Sequence, residues 1–166
     1  QVCARSGTSR LRGEDALRRH CATTGRDGHY RIEGLFGVPH VVNAAAPGFA
    51  PVMFMRGTGP RRHQVPLRPG AELRDIDLRL EGGGIEVHGV VEDMSGGFVE
   101  GAELTYGGLF AGTGMAFTSS GPDGVFSLWV RPGRVSLRAE ADGYTTGGDT
   151  GPAPGHQFEL RLMPEA

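Results

Sequence analysis

The chain contains no lysine; all 17 of its basic residues are arginine. Schiff-base chemistry, a phosphate-loop lysine and a lysine general base are therefore excluded. Uninterrupted helical stretches are scarce, because 29 glycines and 11 prolines punctuate 166 residues and favour turns and short strands. No apolar run approaches the roughly 18 residues a spanning helix needs, and no signal-peptide core is visible, so no membrane insertion is expected. The six histidines (His20, His29, His40, His63, His88 and His156) form no H-x-H or H-x-x-x-H pair. None stands near a serine or cysteine in a nucleophile-elbow setting. Surface or strand positions are expected for them, with no metal site, no cofactor, no catalytic residues and no nucleic-acid partner.

What the sequence does contain is a repeat. The stretch from Thr23 to Phe49 returns as Thr118 to Tyr144, so that Asp27-Gly28 recurs as Asp123-Gly124, Tyr30 as Phe126, Ile32 as Leu128, Ala44 as Ala139, and Gly48-Phe49 as Gly143-Tyr144. Self-similarity at this period marks tandem structural units. Two modules are expected, at residues 1–82 and 83–166. Charge divides along the same line, with 13 arginines against 8 acids before Gly83 and 4 against 11 from there on. Either two differently solvated surfaces or an electrostatic end-to-end contact would account for that split.

In the second module, strands are expected at Ile85 to Val91, Gly101 to Tyr106, Met115 to Ser119, Val125 to Val130, Val135 to Ala141 and Gln157 to Met163. Asp123-Gly124 supplies a hairpin turn, since both residue types tolerate positive φ. The first module follows with Gln1 to Arg5, Ala22 to Thr24, His29 to Leu35, Val41 to Ala45 and Ile76 to Leu80. It has an insertion at Pro51 to Ala71 and a short linker at Glu81 to Gly84. Nothing matches Ile85 to Val91, so the chain reads as a piece of a longer protein that opens inside a module. The missing strand would leave a sheet edge unpaired unless preceding residues or another chain supply it.

Arg10 to His20 is the one stretch that reads as helix, with Glu14 and Asp15 at its start and Arg18 and Arg19 at its end, as the macrodipole favours. Cys3 and Cys21 flank it, close to where a hairpin would set them opposite each other. A disulfide there would close a loop of 17 residues, contributing about 3 kcal/mol on the chain-entropy model and implying an oxidising compartment. Two reduced core thiols, or a metal site shared with His20, are the other readings of this pair.

Trp129 falls on the outer face of its strand if Phe126 and Leu128 face the core. It would there pack on a neighbouring module or stack on a sugar ring, with Tyr106 or Phe110 nearby. The glycine-rich run Gly107 to Gly114 has no lysine or following helix to hold a phosphate and reads as a loop. Asp27, Asp93 and Asp123 lie in turns that favour aspartate, outside any D-x-D-x-D-G calcium pattern.

The pattern T-x-x-x-D-G-x-Y/F-x-I/L, then V-x-A and G-F/Y, together with Gly89 to Leu104, resembles the carboxypeptidase regulatory-like domain, a transthyretin-like (prealbumin-like) β-sandwich. That resemblance implies an all-β chain of two tandem antiparallel sandwiches, the first lacking its opening strand. It carries no catalytic residues to transfer. It implies a non-catalytic structural or interaction module of a larger secreted, periplasmic or cell-surface protein. Its partners would be neighbouring domains of the parent chain, a cell-surface protein or a polysaccharide. Carbohydrate binding, as in starch-binding-like accessory modules, is the alternative. The expected cores are Tyr30, Ile32, Val42, Phe49, Ile76, Leu78 and Leu80, and Val87, Leu104, Phe126, Leu128, Leu137, Tyr144, Phe158, Leu160 and Leu162.

Overall fold

A computed structural model describes residues 1–6, 19–59, 61–107 and 114–165, and among these every regular element is a strand. The chain divides into two compact units, one of residues 1–45 and 52–79, the other of residues 46–51 and 80–166.

The first unit is built on one antiparallel sheet of β1 (Val2–Ser6), β2 (Arg19–Ala22), β3 (His40–Ala44) and β5 (Val52–Met53), in the order β2-β1-β3-β5. Val41, Val42 and Ala44 are the apolar residues of β3, and all five of its residues, His40 and Asn43 included, are buried. A strand covered on both faces loses the buried–exposed alternation of a half-exposed one. Val2, Cys3, Ala4, Met53 and Val65 complete this core. Val65 enters it from the insertion by exchanging both backbone hydrogen bonds with His40, at 2.9 and 2.7 Å.

The second unit holds β4 (Phe49–Ala50), β6 (Glu81–Gly82), β7 (Ile85–Asp93), β8 (Glu103–Tyr106), β9 (Ala116–Ser119), β10 (Val125–Val130), β11 (Gly133–Glu140), β12 (Gly147–Ala153) and β13 (Phe158–Leu162). One sheet runs β10-β7-β13, with β13 parallel to β7, and the other runs β12-β11-β8-β9. The strands alternate buried and exposed positions with period two, so each sheet offers one apolar face. Val87, Val91, Phe126, Leu128, Val130, Phe158, Leu160 and Leu162 come from the first sheet, and Leu104, Tyr106, Val135, Leu137 and Ala139 from the second; all are buried. The result is a seven-stranded β-sandwich. Its first strand pairs with its fourth and seventh and not with its second, unlike the immunoglobulin arrangement. Within it, Ser120 is buried but satisfied: its hydroxyl accepts from the Ala102 amide (2.9 Å) and donates to the Val99 carbonyl (2.6 Å).

The repeat is visible in the backbone. In one copy the Gly25 amide bonds the His29 carbonyl (2.8 Å), the Gly28 amide the Gly25 carbonyl (3.0 Å), and the His29 amide Asp27 Oδ1 (3.1 Å). In the other, Gly121, Gly124 and Val125 donate the same three bonds, at 2.9, 2.9 and 3.1 Å, the last to Asp123. Gly28 and Gly124 sit at φ of 81° and 69°, a region that glycine enters without Cβ strain. Further on, Phe49 closes a turn on Ala46 as Tyr144 does on Ala141. Sheet order recurs as well, since β2-β1-β3-β5 repeats β9-β8-β11-β12 in both sequence and spatial order.

Several expectations are corrected. His29 to Leu35 and Ile76 to Leu80 lie outside every strand, and β12 forms where no strand is expected. Its sequence G-G-D-T-G-P-A has the composition of a loop, yet it pairs along its whole length with β11. The expected linker at Glu81 contributes β6, which pairs with β4. Phe49, expected in the core, is 40% exposed. Tyr30, Ile32, Ile76, Leu78, Leu80 and Tyr144 are half-buried, while the other expected core residues are buried. The expected helix lies outside the described residues except for Arg19 and His20, which belong to β2.

Candidate functional site

Cys3 and Cys21 stand directly opposite each other on β1 and β2, with Cα atoms 4.1 Å apart, and are joined in a disulfide. The closeness is that of an antiparallel pair that does not exchange backbone hydrogen bonds, where side chains approach nearest. The bond fastens edge strand β2 to the strand beside it. His20, next to Cys21, faces Gly34: a Cβ there would lie 3.5 Å from its Cε1. His20 Nε2 is buried with no hydrogen-bond partner among the described residues. Nearby, His40 is buried and its Nδ1 bonds the Val38 carbonyl at 2.7 Å. Burial lowers the His40 pKa, the Val38 bond opposes that, and the neighbouring His20 adds to the lowering.

On the remaining part of this unit, Tyr30 donates its hydroxyl to the Ile76 carbonyl across 2.6 Å. Burial and then the Asp77 carboxylate hold that phenol above its usual pKa. The insertion folds on itself through the Arg56 amide to the Arg62 carbonyl (2.6 Å) and the Gln64 amide to the Arg61 carbonyl (2.9 Å). It surrounds an open hollow of about 480 Å³ lined by Arg56, Thr58, Gly59, Arg61, Arg62, Gln64 and Pro66. Three guanidinium groups and no carboxylate border it. Met53 of the same segment is buried opposite Asn43, whereas Met55 is exposed.

In the second unit Asp149, on β12, joins two strands through its carboxylate. Its Oδ2 accepts from His156 Nε2 (2.9 Å) and the Glu159 amide (3.0 Å), and its Oδ1 accepts from the Thr150 amide (2.7 Å). Partial burial works against ionisation, but these donors prevail and hold the carboxyl below its usual pKa. The His156 ring meets Phe158 edge-on at 4.7 Å and occupies the space beside Gly151, where a Cβ would collide with it. This arrangement clamps β12 to the start of β13. The turn aspartates are engaged in the same local way. Asp93 accepts from the Ser95 hydroxyl (2.6 Å), the Ser95 amide (2.8 Å) and the Gly97 amide (2.9 Å), which lower its pKa, the hydroxyl foremost.

Of the three aromatic residues named for ligand binding, Trp129 and Tyr106 are described. Trp129 lies half-buried on the outward side of β10, opposite Glu86. Tyr106 is 4% exposed on β8 of the other sheet, and its hydroxyl accepts from the Arg131 amide at 3.3 Å. Phe110 lies outside the described residues. The Asp149 clamp has no counterpart among the sequence expectations. Only the spacing of Asp149 and His156 within a glycine-rich run could have pointed to it.

No protein-family model matches the chain, and no curated protein matches it. Among solved structures it is similar to the shaft pilin SpaA from Lactobacillus rhamnosus GG, at 11% identity and a TM-score of 0.41, over 99% of this chain and 87% of that one. It is also similar to a streptococcal ancillary pilin, at 13% identity and a TM-score of 0.39, over 99% and 56%. The Bacillus anthracis TIE protein is a third, at 14% identity and a TM-score of 0.37, over 99% and 30%.

Proposed function

We propose that the chain is a non-catalytic structural and interaction module of a larger secreted or cell-surface protein, built from two tandem transthyretin-like sandwiches at residues 1–82 and 83–166. The observation that carries this reading is the cross-strand Cys3–Cys21 disulfide, a device of proteins that work in oxidising compartments. Domains near 80 residues bury only about 60% of their unfolded surface, so a covalent fastening is a large part of such a unit's margin. The conserved local geometry of the two copies supports tandem modules, and the three-plus-four layout of the second unit supports a transthyretin-like sandwich. Several polar groups serve architecture: Asp27, Asp93 and Asp123 hold turns, and Asp149 with His156 holds a strand. The partners of such a module are neighbouring domains of its parent chain and proteins of the same surface.

The test is recovery of the parent protein from its native compartment. Protease treatment of intact cells should release the fragment, and its two cysteines should resist alkylation until reduced. Free thiols in that material, or hydrolytic turnover that survives repurification, would overturn the reading.

A further inference from the structure

After β5 the first unit carries a loop that the other copy of this sheet does without. In the second unit β12, the counterpart of β5, ends at Ala153 and β13 begins at Phe158, with only residues 154–157 between them. In the first unit β5 ends at Met53, and the insertion then runs on to Ala71. Met53 and Val65 are buried and pin the two ends of the loop, Val65 through its bond pair with His40. Between these anchors Arg56, Thr58, Arg61 and Arg62 are all exposed.

The backbone draws the charges of the loop together. The Arg56 amide donates to the Arg62 carbonyl across 2.6 Å and the Arg62 amide to the Gly59 carbonyl across 3.3 Å, so arginines from both limbs border one hollow. Gly57 and Gly59, at φ of 61° and 115°, take the chain through the reversal, where a Cβ would be strained. Like charges gathered in this way repel one another unless a countercharge is near. The sequence supplies none locally, since no aspartate or glutamate occurs from Gly34 to Ala71. Among the described residues Arg31, Arg74, Arg131 and Arg138 each have a carboxylate partner, whereas Arg56, Arg61 and Arg62 have none.

The lining narrows the chemistry of what could supply the charge. A lone carboxylate would leave two of the three guanidiniums without a counterion, whereas each phosphate of a linked run presents oxygens to a planar guanidinium fork. The hollow, about 480 Å³, is far larger than one phosphate and lies within the usual range of ligand sites, roughly 300–1,000 Å³. Among the described residues no aromatic side chain lines it, so it offers no platform on which a nucleobase or a sugar ring would stack. Thr58 adds a neutral hydroxyl donor at its edge.

We propose that this hollow is a binding site for a chain of directly linked phosphates, gripped by Arg56 from one limb of the loop and by Arg61 and Arg62 from the other. The attraction is local. The whole chain carries a formal net charge of −2, which does not draw a polyanion. The site adds a ligand to the module described above without depending on that reading.

The probe is inorganic tripolyphosphate, titrated calorimetrically into the full chain at low ionic strength. Saturable binding is expected, weakening as salt is raised. Arg61→Gln with Arg62→Gln should weaken it about tenfold or more, since a hydrogen bond to a charged group carries roughly that factor. Arg56→Gln tests the other limb and should act in the same direction. Arg31→Gln with Arg74→Gln removes as much charge from arginines outside the hollow, paired with Glu33 and Glu72, and should leave the affinity nearly unchanged. Amide exchange in β1 and β3 should match the parent in every variant, which separates lost binding from lost folding. Orthophosphate, citrate and single-stranded DNA should each bind about tenfold more weakly or worse. Absence of tripolyphosphate binding, equal loss in the two double variants, or equal affinity for any of the three comparison anions would overturn the site. None of these outcomes changes the disulfide and surface-release results that test the module reading.

Discussion

The ring of Phe126 lies against Gly89, so close that a Cβ on the glycine would sit 2.6 Å from the ring's Cζ. The glycine is therefore a packing requirement of the three-stranded sheet and not a flexible point. Gly89→Val should destabilise the second unit by about 3 kcal/mol, the range of overpacked cores. Gly82→Ala, where a Cβ meets nothing within 4 Å, should stay within about 0.5 kcal/mol of the parent. Urea midpoints of the two variants would check the contrast.

Removing the cross-strand bond by Cys3→Ala with Cys21→Ala should cost the first unit about 3 kcal/mol and leave the second unchanged, because both cysteines lie in the first. Limited proteolysis followed by mass spectrometry should place the new cuts in residues 1–45 and 52–79. Reductant alone should have the same effect on the unmodified chain.

His40 gives the first unit a pH dependence. Its folded pKa is lowered, so below the ordinary imidazole value of about 6.5 the unfolded chain takes up a proton that the folded unit resists, and stability falls as pH falls. Denaturation at pH 7.5 and 5.5 should show the difference, and His40→Leu should remove most of the slope.

Asp149→Ala takes three hydrogen bonds from the clamp between β12 and β13 and should cost about 1–3 kcal/mol by leaving donors unmet. The lowered pKa of this carboxyl means that its contribution is present above the ordinary carboxylate value near 3.9 and is lost as pH falls through the folded value. Loss of exchange protection in residues 147–153, with little change in β7, would locate the effect.

The repeated pattern determined much of this protein by itself. Asp27-Gly28 and Asp123-Gly124 announced two copies of one turn, because side-chain and backbone requirements at a tight turn are local and need no tertiary context. Alternation likewise placed Phe126, Leu128, Leu160 and Leu162 in a core, since period two decides which face a strand residue takes. Cysteines on the two strands flanking a loop led to the Cys3–Cys21 pair. Tertiary structure decided the rest. Gly147–Ala153 is a strand only because β11 and the Asp149 clamp supply hydrogen bonds that its glycines and proline do not predict. Tyr106 has an aromatic suited to stacking, but the sandwich buries it. His29 to Leu35 and Ile76 to Leu80 have strand sequences, yet among the described residues neither joins a strand, because a strand exists only through the neighbour it pairs with.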